Sequence, residues 1–179
     1  IQWGRRSWFA STSGPPTSTI LMPSPIWGGI SSPARPRGSV SDVHVILATD
    51  ADWLVDEVVA ALGGPETTFT HCRDGRSVVG VVKARTPDLV ILDLQIGTMG
   101  GIAVTMDLRL DESGGTLPHV PILMLLDRQA DVHMARRSGA DGWLVKPLDA
   151  LRIQRAIRAL VAGDSWHEGT TAGASSASH

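Results

Sequence analysis

The fold class of this chain is decided by the stretch Pro87-Asp88-Leu89-Val90-Ile91-Leu92-Asp93-Leu94-Gln95-Ile96-Gly97-Thr98-Met99-Gly100-Gly101. Its branched apolar run from Leu89 to Leu92 is too short for a typical helix and is typical of a strand buried on both faces of a parallel sheet. The run ends on Asp93. Because ligands of open α/β sheets gather beyond the carboxyl ends of the strands, Asp93 stands where a reactive group is expected. The alternative is that Asp93 only caps the following turn.

Composition limits the class of protein. A chain of 179 residues is long enough for one domain with a substantial core, and a formal net charge of -2 gives no reason to expect general nucleic-acid binding. The single cysteine, Cys72, rules out an intrachain disulfide and a multi-cysteine metal site, and its position in an apparent strand favours a buried structural thiol. No apolar run approaches the length of a membrane span, so we expect a cytoplasmic protein.

Three segments differ in composition. Residues 1–41 are rich in Ser, Thr, Pro and Gly, contain no Asp or Glu, and are predicted to be a disordered extension. Because the chain does not begin with methionine and changes character near Val40, we expect the biological start near that residue and the upstream part to be either a translated leader or artificially added sequence. Residues 42–163 are predicted to form the ordered domain, and residues 164–179 are small and polar, which predicts a disordered tail.

Strands and helices alternate through the ordered domain. Short apolar runs predict five strands, at residues 43–48, 67–72, 89–93, 120–126 and 142–145. Apolar residues at helical spacing predict helices between them; the third is indicated by Ile102, Ala103, Met106 and Leu110. The last helix is predicted to face inward with Leu151, Ile153, Ile157, Leu160 and Val161. This alternation requires a parallel sheet with right-handed crossovers and helices on both faces.

Four charged side chains follow the ends of these strands. Asp50 follows the first strand, Asp93 the third, Asp127 the fourth and Lys146 the fifth, so all four are candidates to meet at one edge of the sheet. Clustered carboxylates repel one another unless a cation such as Mg²⁺ lies among them, and a lysine balances phosphate charge. Such a site suits phosphoryl transfer to a carboxylate nucleophile. The alternative is that the acids are solvated loop residues.

From Asp42 to Gly163 the chain resembles the receiver domain of bacterial two-component response regulators. The matching residues are Thr49-Asp50, Pro87 to Asp93 with Gly101 beyond, Pro121-Ile122-Leu123-Met124-Leu125 and, most specifically, Gly139-Ala140-Asp141-Gly142-Trp143-Leu144-Val145-Lys146-Pro147. The resemblance implies a flavodoxin-like (βα)5 α/β fold. Its parallel sheet has five strands in the order 2-1-3-4-5, with helices on both faces.

The resemblance also implies roles for individual residues. Asp93 is the expected phosphoacceptor for a histidine kinase or phosphotransfer protein, and Lys146 is expected to pair with the phosphoryl group. Asp50, Asp93 and the backbone carbonyl of Gln95 are the expected Mg²⁺ ligands. The peptide before Pro147 is often cis in this family. A stand-alone receiver has no separate output enzyme, and it signals by binding a downstream protein.

Several positions depart from the family pattern. Thr49 replaces the first of two acids, which predicts a weakened Mg²⁺ site. Leu126 stands where the family has a Ser or Thr hydroxyl, and Trp143 replaces the usual Tyr or Phe of the conformational switch. Asp127 replaces a small residue; it either opposes a phosphoryl anion or joins the metal shell in compensation for Thr49.

These departures leave two functions open. One is a phosphorylatable single-domain response regulator with a modified switch. The other is a degenerate receiver that binds its partner independently of phosphate. Residues 164–179 are too few for a DNA-binding domain, so we expect no direct DNA binding. A homodimer through the last helices is a further expectation from the resemblance.

Overall fold

The structure is a computed structural model that describes residues 43–62, 64 and 67–168. The predicted N-terminal extension, residues 1–41, lies outside the described residues, as does the part of the predicted tail after residue 168.

Six parallel strands form one sheet, with the order β2-β1-β3-β4-β5-β6. They are β1 (Val43–Ala48), β2 (Thr67–Cys72), β3 (Leu89–Asp93), β4 (Ile122–Leu126), β5 (Gly142–Val145) and β6 (Trp166–His167). The flavodoxin-like order of the first five strands is confirmed. The sixth strand was not predicted, and it corrects the expectation that the tail is disordered from Asp164 onward.

Five helices cover the sheet, as the alternation predicted. They are α1 (Asp52–Leu62), α2 (Gly75–Ala84), α3 (Gly101–Ser113), α4 (Val132–Ser138), which follows a 3-10 turn at Gln129–Asp131, and α5 (Ala150–Ala162). The carboxylate of Asp149 accepts the free N–H groups at the start of α5, and Gly163 ends that helix with a φ of 91°.

Alternate residues of each strand enter two separate cores, because successive side chains of a strand point to opposite faces. Ile46 of β1 and Val90 of β3 pack with Val104 of α3 on one face. Val45 and Leu47 of β1 pack on the other face, against α1 and α5. The prediction for α5 was wrong at its two ends: Leu151 is 62% exposed and Val161 41%. Only the middle of the helix lies against the sheet, through Ile153, Ile157 and Leu160.

The sixth strand lies within a short segment, residues 164–168, which we call the strap. It pairs with β5 in the register Gly142↔Trp166 and Trp143↔His167. A Cβ atom on Gly142 would lie 2.8 Å from the carbonyl oxygen of Trp166 and 3.2 Å from Leu160 Cδ1. The strap therefore reaches the sheet only because residue 142 has no side chain.

We expect Gly142→Ala to displace the strap and to lower the free energy of unfolding by about 1–3 kcal/mol, as overpacking does. Hydrogen exchange should then accelerate at the Trp143 indole and the Val145 amide, both of which donate to Glu168. Gly80→Ala is the matched control, since a Cβ there meets no atom within 4 Å. It should leave exchange in β5 unchanged. Equal exchange in both variants would contradict this account of the strap.

Arg109 of α3 joins the amino-terminal ends of β4 and β5. Its guanidinium forms ion pairs with Glu112 at 2.6 Å and with Asp141, and it donates to the carbonyls of Gly139 at 2.8 Å and Val120 at 3.1 Å. The same Asp141 carboxylate accepts the backbone N–H of Ile122 at 2.7 Å. These contacts fix α3 against the end of the sheet that lies opposite Asp93.

Arg109→Ala should reduce the free energy of unfolding by about 2 kcal/mol, because it leaves two half-buried carboxylates and two carbonyls without this donor. Chemical denaturation measures the loss. The exposed Arg85 provides the control, and Arg85→Ala should change stability by less than about 0.5 kcal/mol. A loss in Arg109→Ala no larger than in the control is the result that rejects this assignment.

Candidate receiver site

Asp93 is the centre of the candidate site. It ends β3 and is only 3% exposed, because β1 and β4 pair with β3 on either side. Its carboxylate accepts three hydrogen bonds, from Lys146 Nζ at 2.9 Å, Thr49 Oγ1 at 2.9 Å and the backbone N–H of Gln95 at 3.4 Å. The three donors hold this carboxylate in place at the strand end, and a carboxylate held in this way is a candidate nucleophile.

The loop after β3 depends on a glycine. A Cβ atom on Gly101 would lie 2.5 Å from the carbonyl oxygen of Asp93, so only glycine lets α3 begin this close to the strand end. The loop is also tied to α2, where the Thr98 hydroxyl donates to Asp74. This hydrogen bond is the largest cause of the lowered pKa of the Asp74 carboxyl. A second hydrogen bond, from the backbone N–H of Arg76, lowers that pKa further.

Lys146 links two of the predicted acids. It follows β5, and its ammonium donates to Asp93 at 2.9 Å and to Asp127 at 3.0 Å. Burial alone would lower the pKa of Lys146, but the hydrogen bonds to these carboxylates and their charges outweigh burial and raise it above the ordinary value of 10.5. The peptide bond between Lys146 and Pro147 is cis.

Thr49 makes hydrogen bonds of its own in the position where the family has an acid. Its side chain is fully buried; the hydroxyl donates to Asp93 and accepts the N–H of Ala51 at 3.1 Å. Its backbone is held by Cys72 and by His71, whose ring nitrogen lies 2.8 Å from the Thr49 carbonyl oxygen. Thr49 therefore positions the Asp93 carboxylate, a role that the sequence analysis did not assign to it.

Asp50 lies on the solvent side of this edge. It is exposed, and a Cβ atom on Gly97 would lie 3.5 Å from its Oδ2 atom, so the loop after β3 passes beside it. Within the part of the chain that the structure describes, no three His, Cys, Asp or Glu side chains form a metal-binding group. Mg²⁺ usually keeps several waters and binds one or two carboxylates together with phosphate oxygens. The predicted donors, Asp50, Asp93 and the Gln95 carbonyl, are of the oxygen type that an ion of that kind prefers, and they do not form a closed protein cage.

The two positions predicted to form an atypical switch, Leu126 and Trp143, are both packed tightly. Leu126 is fully buried and lies in the same core cluster as Trp143, which is 3% exposed. The Trp143 indole donates to the Glu168 carbonyl at 3.0 Å and stacks on His167, with ring centroids 4.3 Å apart. The strap therefore holds Trp143 in its inward position.

Comparison with known proteins identifies the family to which this chain belongs. Residues 45–158 match the model of the response regulator receiver domain. The chain belongs to the response regulator receiver family. Over 120 residues it is 30% identical to the transcriptional regulatory protein CseB of Streptomyces avermitilis, covering 66% of this chain and 48% of CseB. It is 31% identical over 118 residues to the DNA-binding response regulator MtrA of Mycolicibacterium paratuberculosis, covering 65% of this chain and 50% of MtrA.

Solved receiver structures share the fold. The NarL receiver domain of Mycobacterium tuberculosis is 27% identical, with a TM-score of 0.60, and the match covers 69% of this chain and 98% of that domain. The receiver domain of a Pseudomonas aeruginosa sensor histidine kinase, solved with a magnesium ion in its active site cleft, is 22% identical with a TM-score of 0.57; the match covers 67% of this chain and 98% of that one. The receiver spans about half the length of the two curated relatives.

Receiver domains are signalling modules that interact with histidine kinases or phosphotransfer proteins. Among the described helices of this receiver, none combines the length and apolar character that a bilayer crossing requires.

The ion pairs of Lys146 predict how the stability of the fold changes at alkaline pH. Because the pKa of Lys146 is raised in the folded state, the contribution of its ion pairs to stability is complete below the unfolded value of 10.5 and is lost as pH rises through the higher folded value. The chain contains one other lysine, Lys83, and no tyrosine, so few groups titrate in this range. As pH rises above 10.5, chemical denaturation should show a steeper loss of stability in the wild type than in Lys146→Met. Parallel losses would disprove the raised pKa.

Proposed function

We propose that this receiver accepts a phosphoryl group on Asp93 from a histidine kinase or phosphotransfer protein, and then signals in the cytoplasm by binding a downstream protein. The observation that carries the proposal is the nearly buried Asp93 carboxylate, held by Lys146 Nζ at 2.9 Å and by the Thr49 hydroxyl. These contacts position the nucleophile and place a cation beside it, which are the main requirements of phosphoryl transfer.

In the proposed reaction, a carboxylate oxygen of Asp93 attacks the phosphorus of the donor. The bond between phosphorus and the donor's imidazole nitrogen breaks, and its electron pair stays with the imidazole. The Lys146 ammonium neutralises part of the charge on the transferred group. Asp50, Asp93 and the Gln95 carbonyl would hold Mg²⁺, which neutralises further charge on the phosphoryl oxygens when it is bound. With Thr49 in place of a second acid beside Asp50, we expect weak binding of that ion.

The response to phosphorylation remains a separate question, and one observation favours the degenerate alternative. Leu126 has no hydroxyl to turn toward a phosphoryl group, and Trp143 is held by His167 and Glu168 of the strap. A receiver with these residues is proposed either to change little on phosphorylation or to release the strap. In the first case it binds its partner with or without phosphate.

The output of this receiver also stays a prediction. The curated relatives are described as a transcriptional regulatory protein and a DNA-binding response regulator, and each is about twice as long as the matched region. Neither the expected absence of DNA binding nor the expected homodimer is tested by these relatives.

Incubation with acetyl phosphate and Mg²⁺ should give a shifted band on a phosphate-affinity gel. Asp93→Asn should abolish it, because an amide is not a nucleophile here, and Lys146→Met should reduce it at least about tenfold. Asp107→Asn removes a charge from the exposed side of α3 and should behave as the wild type. A band that survives Asp93→Asn, or no band from acetyl phosphate or a phosphohistidine donor, would refute the proposal.

Hydrogen exchange distinguishes the two modes of output. With beryllofluoride, an analogue of the phosphoryl group, and Mg²⁺, strap release should accelerate exchange at the Trp143 indole. Unchanged exchange in a protein that does take up phosphate favours the phosphate-independent interaction module.

A further inference from the structure

Asp127 occupies an unusual position beside the proposed phosphoryl site. It follows Leu126 at the end of β4, and its side chain is 33% exposed. Its Oδ1 atom accepts from Lys146 Nζ at 3.0 Å, whereas its Oδ2 atom is buried and has no hydrogen-bond partner among the described residues. The carboxylate is thus anchored at one oxygen only, by the cation that Asp93 also uses.

The charges at this edge are unbalanced before any phosphate arrives. One ammonium, that of Lys146, serves the carboxylates of both Asp93 and Asp127. Phosphorylation converts the single negative charge of Asp93 into an acyl phosphate with about two at neutral pH. Because the Asp127 oxygen and the Asp93 oxygen contact the same nitrogen, the new charge develops close to a carboxylate that keeps its own.

Neither Leu126 nor Thr49 relieves this repulsion. Leu126 is apolar and offers no hydrogen-bond donor. The Thr49 hydroxyl donates its single proton to Asp93. The Oδ1 atom of Asp127 is already engaged by Lys146, at 3.0 Å. This ion pair with the cation that is expected to neutralise a phosphoryl group favours opposition to phosphate over a place in the metal shell.

We propose that Asp127 is a positioning residue that competes with the phosphoryl group for Lys146, and so raises the free energy of the phosphorylated receiver relative to the unphosphorylated one. This inference rests on the proposed function. It implies that only a strong phosphoryl donor phosphorylates Asp93 in most of the molecules. It also implies that the unphosphorylated state is restored readily.

Beryllofluoride affinity in the presence of Mg²⁺ tests the competition directly. Asp127→Asn keeps an oxygen that can accept from Lys146 but removes the charge, so it should bind the analogue roughly tenfold more tightly than the wild type. Asp127→Glu restores the charge and should return the affinity toward the wild-type value. Asp107→Asn controls for net charge. Tryptophan fluorescence is a suitable signal because the centroid of the Trp53 ring lies 5.7 Å from Lys146 Nζ. The Trp53→Phe variant shows how much of the fluorescence change comes from Trp53.

The sign of the change separates the two roles that Asp127 can have. Weaker binding in Asp127→Asn would place the residue in the metal shell and overturn the proposal, as would an unchanged affinity. Asp127→Ser, a smaller neutral variant, provides the same test if the amide disturbs folding. If the wild type takes up phosphate but Asp127→Asn binds no more tightly, only this inference fails. If Asp93 takes no phosphate from any donor and no variant binds the analogue, the proposed function fails as well.

Discussion

A single ammonium group shared by two carboxylates determines the character of the whole candidate site. Lys146 reaches Asp93 and Asp127 together, and the first of these is almost completely buried. A buried carboxylate without a partner destabilises a fold, so the ion pair with Lys146 compensates for the burial of Asp93 in the sheet. The cation therefore supports folding and the proposed chemistry through the same contacts.

The opposite end of the sheet uses a similar arrangement. There Arg109 pairs with Asp141 and Glu112 and donates to two carbonyls, so one cation again serves several acceptors. The two arrangements differ in their surroundings. Arg109 connects α3 to the strand ends, whereas Lys146 lies at the edge of the sheet where Asp50 is exposed and where the proposed phosphoryl group would bind.

Much of the fold could be predicted because buried parallel strands carry an unmistakable apolar pattern. The helices were less well defined. Met106 and Leu110 indicated α3 correctly, yet they are 58% and 71% exposed; the helix instead packs through Val104, Thr105 and Leu108. A buried threonine is invisible to an apolar pattern, and here its hydroxyl is satisfied by the Gly101 carbonyl at 2.8 Å. In the site, strand ends predicted that Asp93, Asp127 and Lys146 gather. They did not predict that Thr49 donates to Asp93, because hydrogen-bond direction depends on rotamers.

The strap could not be predicted for a further reason: its stability comes from β5, not from its own residues. Two residues form no strand alone. Gly142 provides the space, and the Val145 amide donates to the Glu168 carboxylate at 2.8 Å. Val145 immediately precedes Lys146, so the strap contacts the residue next to the proposed phosphoryl site. A movement of Lys146 toward a phosphoryl group would have to be accommodated by β5, whose outer edge is paired with the strap. If Asp93 takes up phosphate as proposed, the strap raises the cost of rearrangement at Lys146, the residue for which Asp127 is proposed to compete, and both features favour the unphosphorylated state.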